Sequence, residues 1–132
     1  MEINFKIEII SPEKIIFSDN ATMVTLPSYE GDMGVLKDHI SIITFLRPGI
    51  IKVYKNDNKS SDEFFVEDGT VEYSNNSLIV LSSSAINIKD VSKDLLNNLS
   101  ADIKNKLTQK DITDHDYYIL NHKLDVLKEM EI

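Results

Sequence analysis

The sequence predicts a β-sandwich, or flattened all-β barrel, followed by a C-terminal antiparallel α-helical hairpin. Three observations predict it. Up to about Leu81, short runs alternate apolar and polar residues, as side chains do on the two faces of a strand. All four glycines and all three prolines fall between Pro12 and Gly69, where they punctuate those runs. From Val91 onward there is neither glycine nor proline, and the apolar period lengthens to between three and four. The grammar changes near Ser84, so the sandwich is expected over residues 1–85 and the hairpin over 88–132.

Taken in order, Ile3, Phe5, Ile7 and Ile9 alternate with polar neighbours and form a half-buried strand. Ser11-Pro12 turns the chain, because proline fixes φ and offers no N–H to a ladder. Lys14–Phe17 and Ala21–Leu26 read as strands around a turn at Ser18-Asp19-Asn20. The stretch Leu26–Ile51 holds three of the glycines, two prolines, the single arginine Arg47 and the first histidine His39. Glu30–Gly34 reads there as a loop with permissive positions at Gly31 and Gly34, both expected at positive φ. The apolar run Ile40–Leu46 is the next strand, and Arg47-Pro48-Gly49 turns it into Ile50–Val53. Lys55–Glu63 has no apolar residue and is expected to be an exposed loop. Asp68-Gly69, between Phe64–Val66 and Val71–Tyr73, is a hairpin signal. Ser74–Ser77 reverses the chain again into Leu78–Leu81. In the tail, Asp90 is expected to cap a helix burying Val91, Leu95, Leu99, Ile103 and Leu107, with Leu96 beside them. Thr113 followed by Asp116 resembles a capping box, and Tyr117, Leu120, Leu124 and Leu127 form the second stripe.

Composition excludes several function classes. The 132 residues carry a formal charge of −8, which opposes non-specific nucleic-acid binding, since that relies on basic surface. No cysteine is present to form a disulfide framework or a thiolate metal site. The run Ile40–Leu46 is far short of the ~20 apolar residues needed to span a bilayer, so no direct membrane insertion is expected. The N-terminus alternates polar and apolar residues and does not read as a signal peptide. Asp38-His39 with Ser41 nearby admits a hydrolase reading. However, there is no Gly-x-Ser-x-Gly elbow and no glycine-rich phosphate cradle, and His39 is better read as fixing a turn. His115 and His122, about two helical turns apart, do not make a metal pair, and no metal site is expected.

The order Glu30, Gly31, Gly34, His39, the apolar run Ile40–Leu46 and then Arg47-Pro48-Gly49 resembles the signature of the epsilon subunits of F-type ATP synthases. That family often has Pro-Gly just before the histidine, where this chain has Lys37-Asp38. The resemblance implies a non-catalytic central-stalk rotor subunit of a proton-translocating bacterial synthase. It would be peripheral on the cytoplasmic face of the inner membrane and would link the gamma subunit to the c-ring. It also implies a c-ring contact at Glu30, Asp32 and His39, with Gly31, Gly34, Pro48 and Gly49 forming turns. The hairpin could reach the alpha and beta subunits through Lys123 and Lys128. Some members of the family bind ATP near the first helix. Here Asp90 matches that motif, but Lys93 and Asp94 replace its arginine and alanine, so at most a weak nucleotide site at Asp90 and Lys93 is expected and no cofactor. The resemblance also implies an inhibitory hairpin that docks on the beta subunit through basic residues; from Asp90 to Ile132 nine acidic residues outnumber six basic ones, so only weak inhibition is expected. The alternatives are a stand-alone nucleotide-sensing regulatory β-domain and a small hydrolase using Asp38 and His39.

Overall fold

The structure is a computed structural model and describes residues 3–55 and 60–130. The chain divides into two compact units, Met1–Ile88 and Lys89–Ile132.

The first unit contains ten strands: β1 (Phe5–Ile10), β2 (Ile15–Ala21), β3 (Met23–Ser28), β4 (Gly31–Val35), β5 (Ile42–Leu46), β6 (Gly49–Lys55), β7 (Ser60–Val66), β8 (Gly69–Ser74), β9 (Ser77–Leu81) and β10 (Ile86–Asn87). Their order is β10-β7-β6-β3-β5-β8-β9-β1-β2, with β4 added beside β3. A single residue pair, Ser28 with Leu46, joins β3 to β5. The sheet folds over at that junction into a nearly closed sandwich. One half contributes Val24, Leu26, Ile51, Val53, Phe64 and Val66 to the core, and the other Phe5, Ile7, Ile9, Val71, Tyr73, Leu78 and Val80. Each such side chain removed from water contributes about 1.5–3 kcal/mol. Where the two halves meet again, Phe17 of β2 packs on Phe64 of β7 at 5.0 Å between ring centroids. Lys55 of β6 bridges Asp19 of β2 at 2.7 Å and Asp62 of β7 at 3.1 Å.

Several expectations are corrected. Ser18-Asp19-Asn20 is not a turn. It continues β2, pairing with Glu8, Ile7 and Lys6, and the break before β3 is at Thr22. Gly31–Gly34 is not a loop but most of β4, hairpinned on β3 through Tyr29-Glu30. Of its two glycines, only Gly31 has positive φ. Ser60–Glu63 belongs to β7, paired with β6; the remainder of the expected 55–63 loop, residues 56–59, lies outside the described residues. Asp68-Gly69 makes no hairpin either, because β7 pairs with β6 while β8 pairs with β5 and β9. Glu67-Asp68 carries the chain from one half of the sandwich to the other, as Arg47-Pro48 does between β5 and β6. Gly69 is small because a Cβ there would lie 2.6 Å from the Leu81 carbonyl oxygen.

The second unit is a helical hairpin of α1 (Lys93–Leu107) and α2 (Asp114–Met130). Asp90 does not cap α1. It ends a short 3-10 turn, and Ser92 is the cap, its hydroxyl accepting the Leu95 N–H at 3.1 Å. Thr113 does cap α2, accepting the Asp116 N–H at 3.0 Å. The fully covered positions are Leu96 and Ile103 on α1 and Lys123, Val126 and Leu127 on α2. Val91, Leu95, Leu99 and Leu107 are half-buried rather than buried. The second stripe is rotated from expectation, leaving Tyr117 exposed.

Candidate functional site

Two ends of β4 and β5 carry the residues singled out in the sequence. At one end, the tight turn Tyr29-Glu30 presents Glu30, exposed, with its N–H donated to the Ser28 hydroxyl at 3.2 Å. Asp32 projects from the edge strand with its side chain 82% exposed, and Arg47 Nη2 lies 3.6 Å from its Oδ1. A pair this open contributes only about 0–1 kcal/mol, so Asp32 stays available to a partner. Pro48 and Gly49 are buried behind this end, and a Cβ on Gly49 would overlap the Pro27 side chain. Gly49 is therefore required by the close approach of the Pro27 ring and not by positive φ.

At the other end, some four residue steps along β5 and so ~13 Å away, the loop Leu36–Ser41 joins β4 to β5. His39 sits here, at the opposite end of the strand pair from Glu30 and Asp32. Its ring meets Tyr73 edge-on at 5.6 Å. Its Nδ1 lies 2.6 Å from the Ile40 carbonyl oxygen, which can only accept, so Nδ1 carries the proton. Asp38 Oδ1 accepts from Asn76 Nδ2 at 3.1 Å. With both side chains bonded elsewhere, the arrangement lacks the base–orienter bond that a His-Asp hydrolase needs. Burial holds the Tyr73 hydroxyl above its ordinary pKa, so it acts as a proton donor near neutrality.

Between these ends runs an outward face that sequence reading did not single out. Ile43 is paired with Glu72 and Phe45 with Thr70 on β8, which in turn pair with Ile79 and Leu81 on β9. Ile43 is 76%, Phe45 61% and Leu81 52% exposed. The signal was present, since Ile43 and Phe45 break the apolar–polar alternation of the run Ile40–Leu46. In the tail, Asp90 and Lys93 are both exposed, one ending the 3-10 turn and the other opening α1. Lys123 is buried, so of the two lysines expected to reach a partner only Lys128 is exposed. Among the described residues no group of His, Cys, Asp or Glu is arranged to hold a metal, and no helix is long and apolar enough to cross a membrane.

A rigid β-sandwich with an acidic turn, an exposed apolar face and an appended helical hairpin defines a binding module rather than a catalytic centre. Residues 4–88 match the family model described as ATP synthase, Delta/Epsilon chain, beta-sandwich domain. The chain is 48% identical over 131 residues to the ATP synthase epsilon chain of Pelagibacter ubique, covering 98% of this chain and 99% of that one. It is 36% identical over 109 residues to the epsilon chain of Rickettsia bellii, covering 82% and 94%. The chain belongs to the ATP synthase delta/epsilon family, among its epsilon chains, which are non-catalytic subunits. In fold it is similar to a chain of the Euglena gracilis mitochondrial ATP synthase, with a TM-score of 0.74 at 16% identity over 97% of this chain and 79% of that one. A chain from the central stalk and c-ring of the Tetrahymena thermophila enzyme gives a TM-score of 0.62 at 14% identity, covering 94% and 93%.

Proposed function

We propose that the sandwich clamps the gamma subunit to the c-ring, so that torque from proton flow reaches the catalytic head. In this reading the chain sits peripherally on the cytoplasmic face of a bacterial inner membrane. The observation that carries it is the exposed apolar row Ile43, Phe45 and Leu81 on one outer sheet face. Large apolar side chains grouped on a rigid surface mark a protein contact, and we assign this one to gamma. The acidic end with Glu30 and Asp32 supports a second, polar contact, assigned to the c-ring. His39 is left out of that contact because it lies at the far end of β5. The hairpin would reach alpha and beta only weakly, through Lys128, and Asp90 with Lys93 would hold ATP at most weakly.

Purification of the complex from native membranes carrying Phe45→Asp or Asp32→Lys tests the assignment. Phe45→Asp should cost retention on gamma. Asp32→Lys should leave the sandwich folded while weakening coupling, read as ATP-driven proton pumping per ATP hydrolysed. Normal coupling in the Asp32→Lys complex removes that residue from the c-ring contact. Full retention of the Phe45→Asp chain removes the apolar row from the gamma contact.

A further inference from the structure

We infer that Asp38 and Asn76 form a clamp that positions the β4–β5 loop for docking to gamma, an inference that rests on the function proposed above. The loop carries two large apolar side chains into solvent, Leu36 at 54% and Ile40 at 77% exposed. The loop joins β5 at the end away from Asp32, where its two exposed apolar side chains add to the apolar surface of Ile43 and Phe45. A free loop of this kind would have to be ordered when a partner docks, at a cost in affinity.

The geometry removes that freedom in advance. The Asp38 N–H donates to Asn76 Oδ1 at 2.7 Å, and Asn76 Nδ2 donates back to Asp38 Oδ1 at 3.1 Å. The Tyr73 hydroxyl lies 2.9 Å from the same Asn76 Oδ1 and 3.3 Å from the Leu36 carbonyl oxygen. The His39 N–H closes the loop on that Leu36 carbonyl at 3.2 Å. Asn76 is itself rigid. It sits with Asn75 in the two-residue β8–β9 turn at φ 58° and 50°, and its carbonyl accepts the Lys6 N–H at 3.1 Å. Asp38 pays for a left-handed backbone, φ 64°, that glycine would adopt more readily. What its side chain adds over glycine is the bond to Asn76. A loop built on residues of weak intrinsic preference thus takes its stiffness from the buried Tyr73 and the β8–β9 turn.

Both clamp positions have positive φ, so glycine keeps both turns: Asp38→Gly deletes only the bond from Asn76 Nδ2, while Asn76→Gly deletes that bond, the one from the Asp38 N–H and the Tyr73 contact. Affinity of each full-length chain for a gamma–c-ring assembly stripped of its own copy is measured with the melting temperature and with amide exchange at Asp38. Asn76→Gly should exchange faster at Asp38 and bind roughly 3- to 10-fold more weakly, the cost of re-ordering one or two side chains, and Asp38→Gly should show the smaller part of both effects. The double variant should bind no worse than the Asn76→Gly single, because that change already removes both bonds of the pair. Asp38→Asn keeps an accepting oxygen and a tolerated φ and should retain affinity within about twofold. Unchanged affinity in both glycine variants, or losses that simply add, overturns the clamp. Failure of the unaltered chain to bind the assembly overturns instead the function on which the inference rests.

Discussion

Gly34 occupies β4 without positive φ, and a Cβ built there meets nothing within 4 Å; Gly31, three residues earlier, has φ 125°. The two look equivalent in the sequence, and only the backbone separates them. Gly31→Val should lower stability by about 1–2 kcal/mol or more, since a β-branched residue resists that conformation. Gly34→Val should be neutral or mildly stabilising, within about 0.5 kcal/mol, because an exposed strand position suits a β-branched side chain. Denaturant midpoints of the two variants check this, and equal losses would mean that β4 is not the strand described here. Gly49 is a further class, needed because the Pro27 ring approaches its backbone, while Gly69 combines φ 157° with close approach of the Leu81 carbonyl. No pattern in a single sequence distinguishes close approach from a turn, which is why Asp68-Gly69 reads as a hairpin it does not form.

Elements were more legible than their partners. The alternation in Phe5–Ile10, Gly49–Lys55 and Ser77–Leu81 identifies strands because one face of each is buried. It does not say which strand lies beside which, and the β1–β9 pair is parallel, joining elements some seventy residues apart. Ser18–Asn20 escaped recognition as strand because β2 is an edge there, with polar residues on both faces. The same edge holds the Lys55–Asp19 ionic staple between β2 and β6, and its pH dependence can be signed. The hydrogen bond from Lys55, with a further one from the Asn20 N–H, holds the Asp19 carboxyl below its ordinary value of 3.8. Hydrogen bonds to Asp19 and Asp62 hold Lys55 above its ordinary 10.5. Asp19's contribution is therefore present above its ordinary value and lost as pH falls through the depressed one. Lys55's contribution is present below its ordinary value and lost as pH rises through the raised one. Asp19 is exposed and Lys55 half-buried at the surface, so together they contribute only about 0–1 kcal/mol, screened by salt. Lys55→Met keeps the stem over the Phe17 ring, which Lys55 Nζ approaches at 5.3 Å from the centroid. Its stability deficit should be flat between pH 5 and 9 and shrink at both extremes. A deficit independent of pH throughout would assign the effect to packing and not to charge.

At the scale of the whole molecule, the division between Ile88 and Lys89 separates a unit with sixteen buried apolar core residues from a helical hairpin with its own covered stripe. The sequence placed the sandwich's end at Ala85, three residues early, because Ile86 and Asn87 form the two-residue β10 that covers the β7 edge. Residues 1–88 should therefore fold alone and keep the proposed attachment to gamma and the c-ring, whereas residues 1–85 should expose the Phe64–Phe65 edge and aggregate. Circular dichroism and light scattering on the two fragments separate these outcomes. In the intact complex, replacing the chain by residues 1–88 should raise ATP hydrolysis only slightly. Inhibition by the hairpin would require docking of an acidic segment, net −3 from Asp90 onward, on which Lys123 is buried. Each exposed ion pair left to it contributes about 0–1 kcal/mol. Switching an arm between mostly docked and mostly released states needs about 5.5 kcal/mol of differential binding. Lys128 and a few exposed lysines on α1 do not reach that figure, and the exposed Lys93 with Asp94 beside it offers triphosphate little to bind. A several-fold rise in hydrolysis on removing residues 89–132, or ATP binding by the full chain well below millimolar concentration, would show that the hairpin works as a switch.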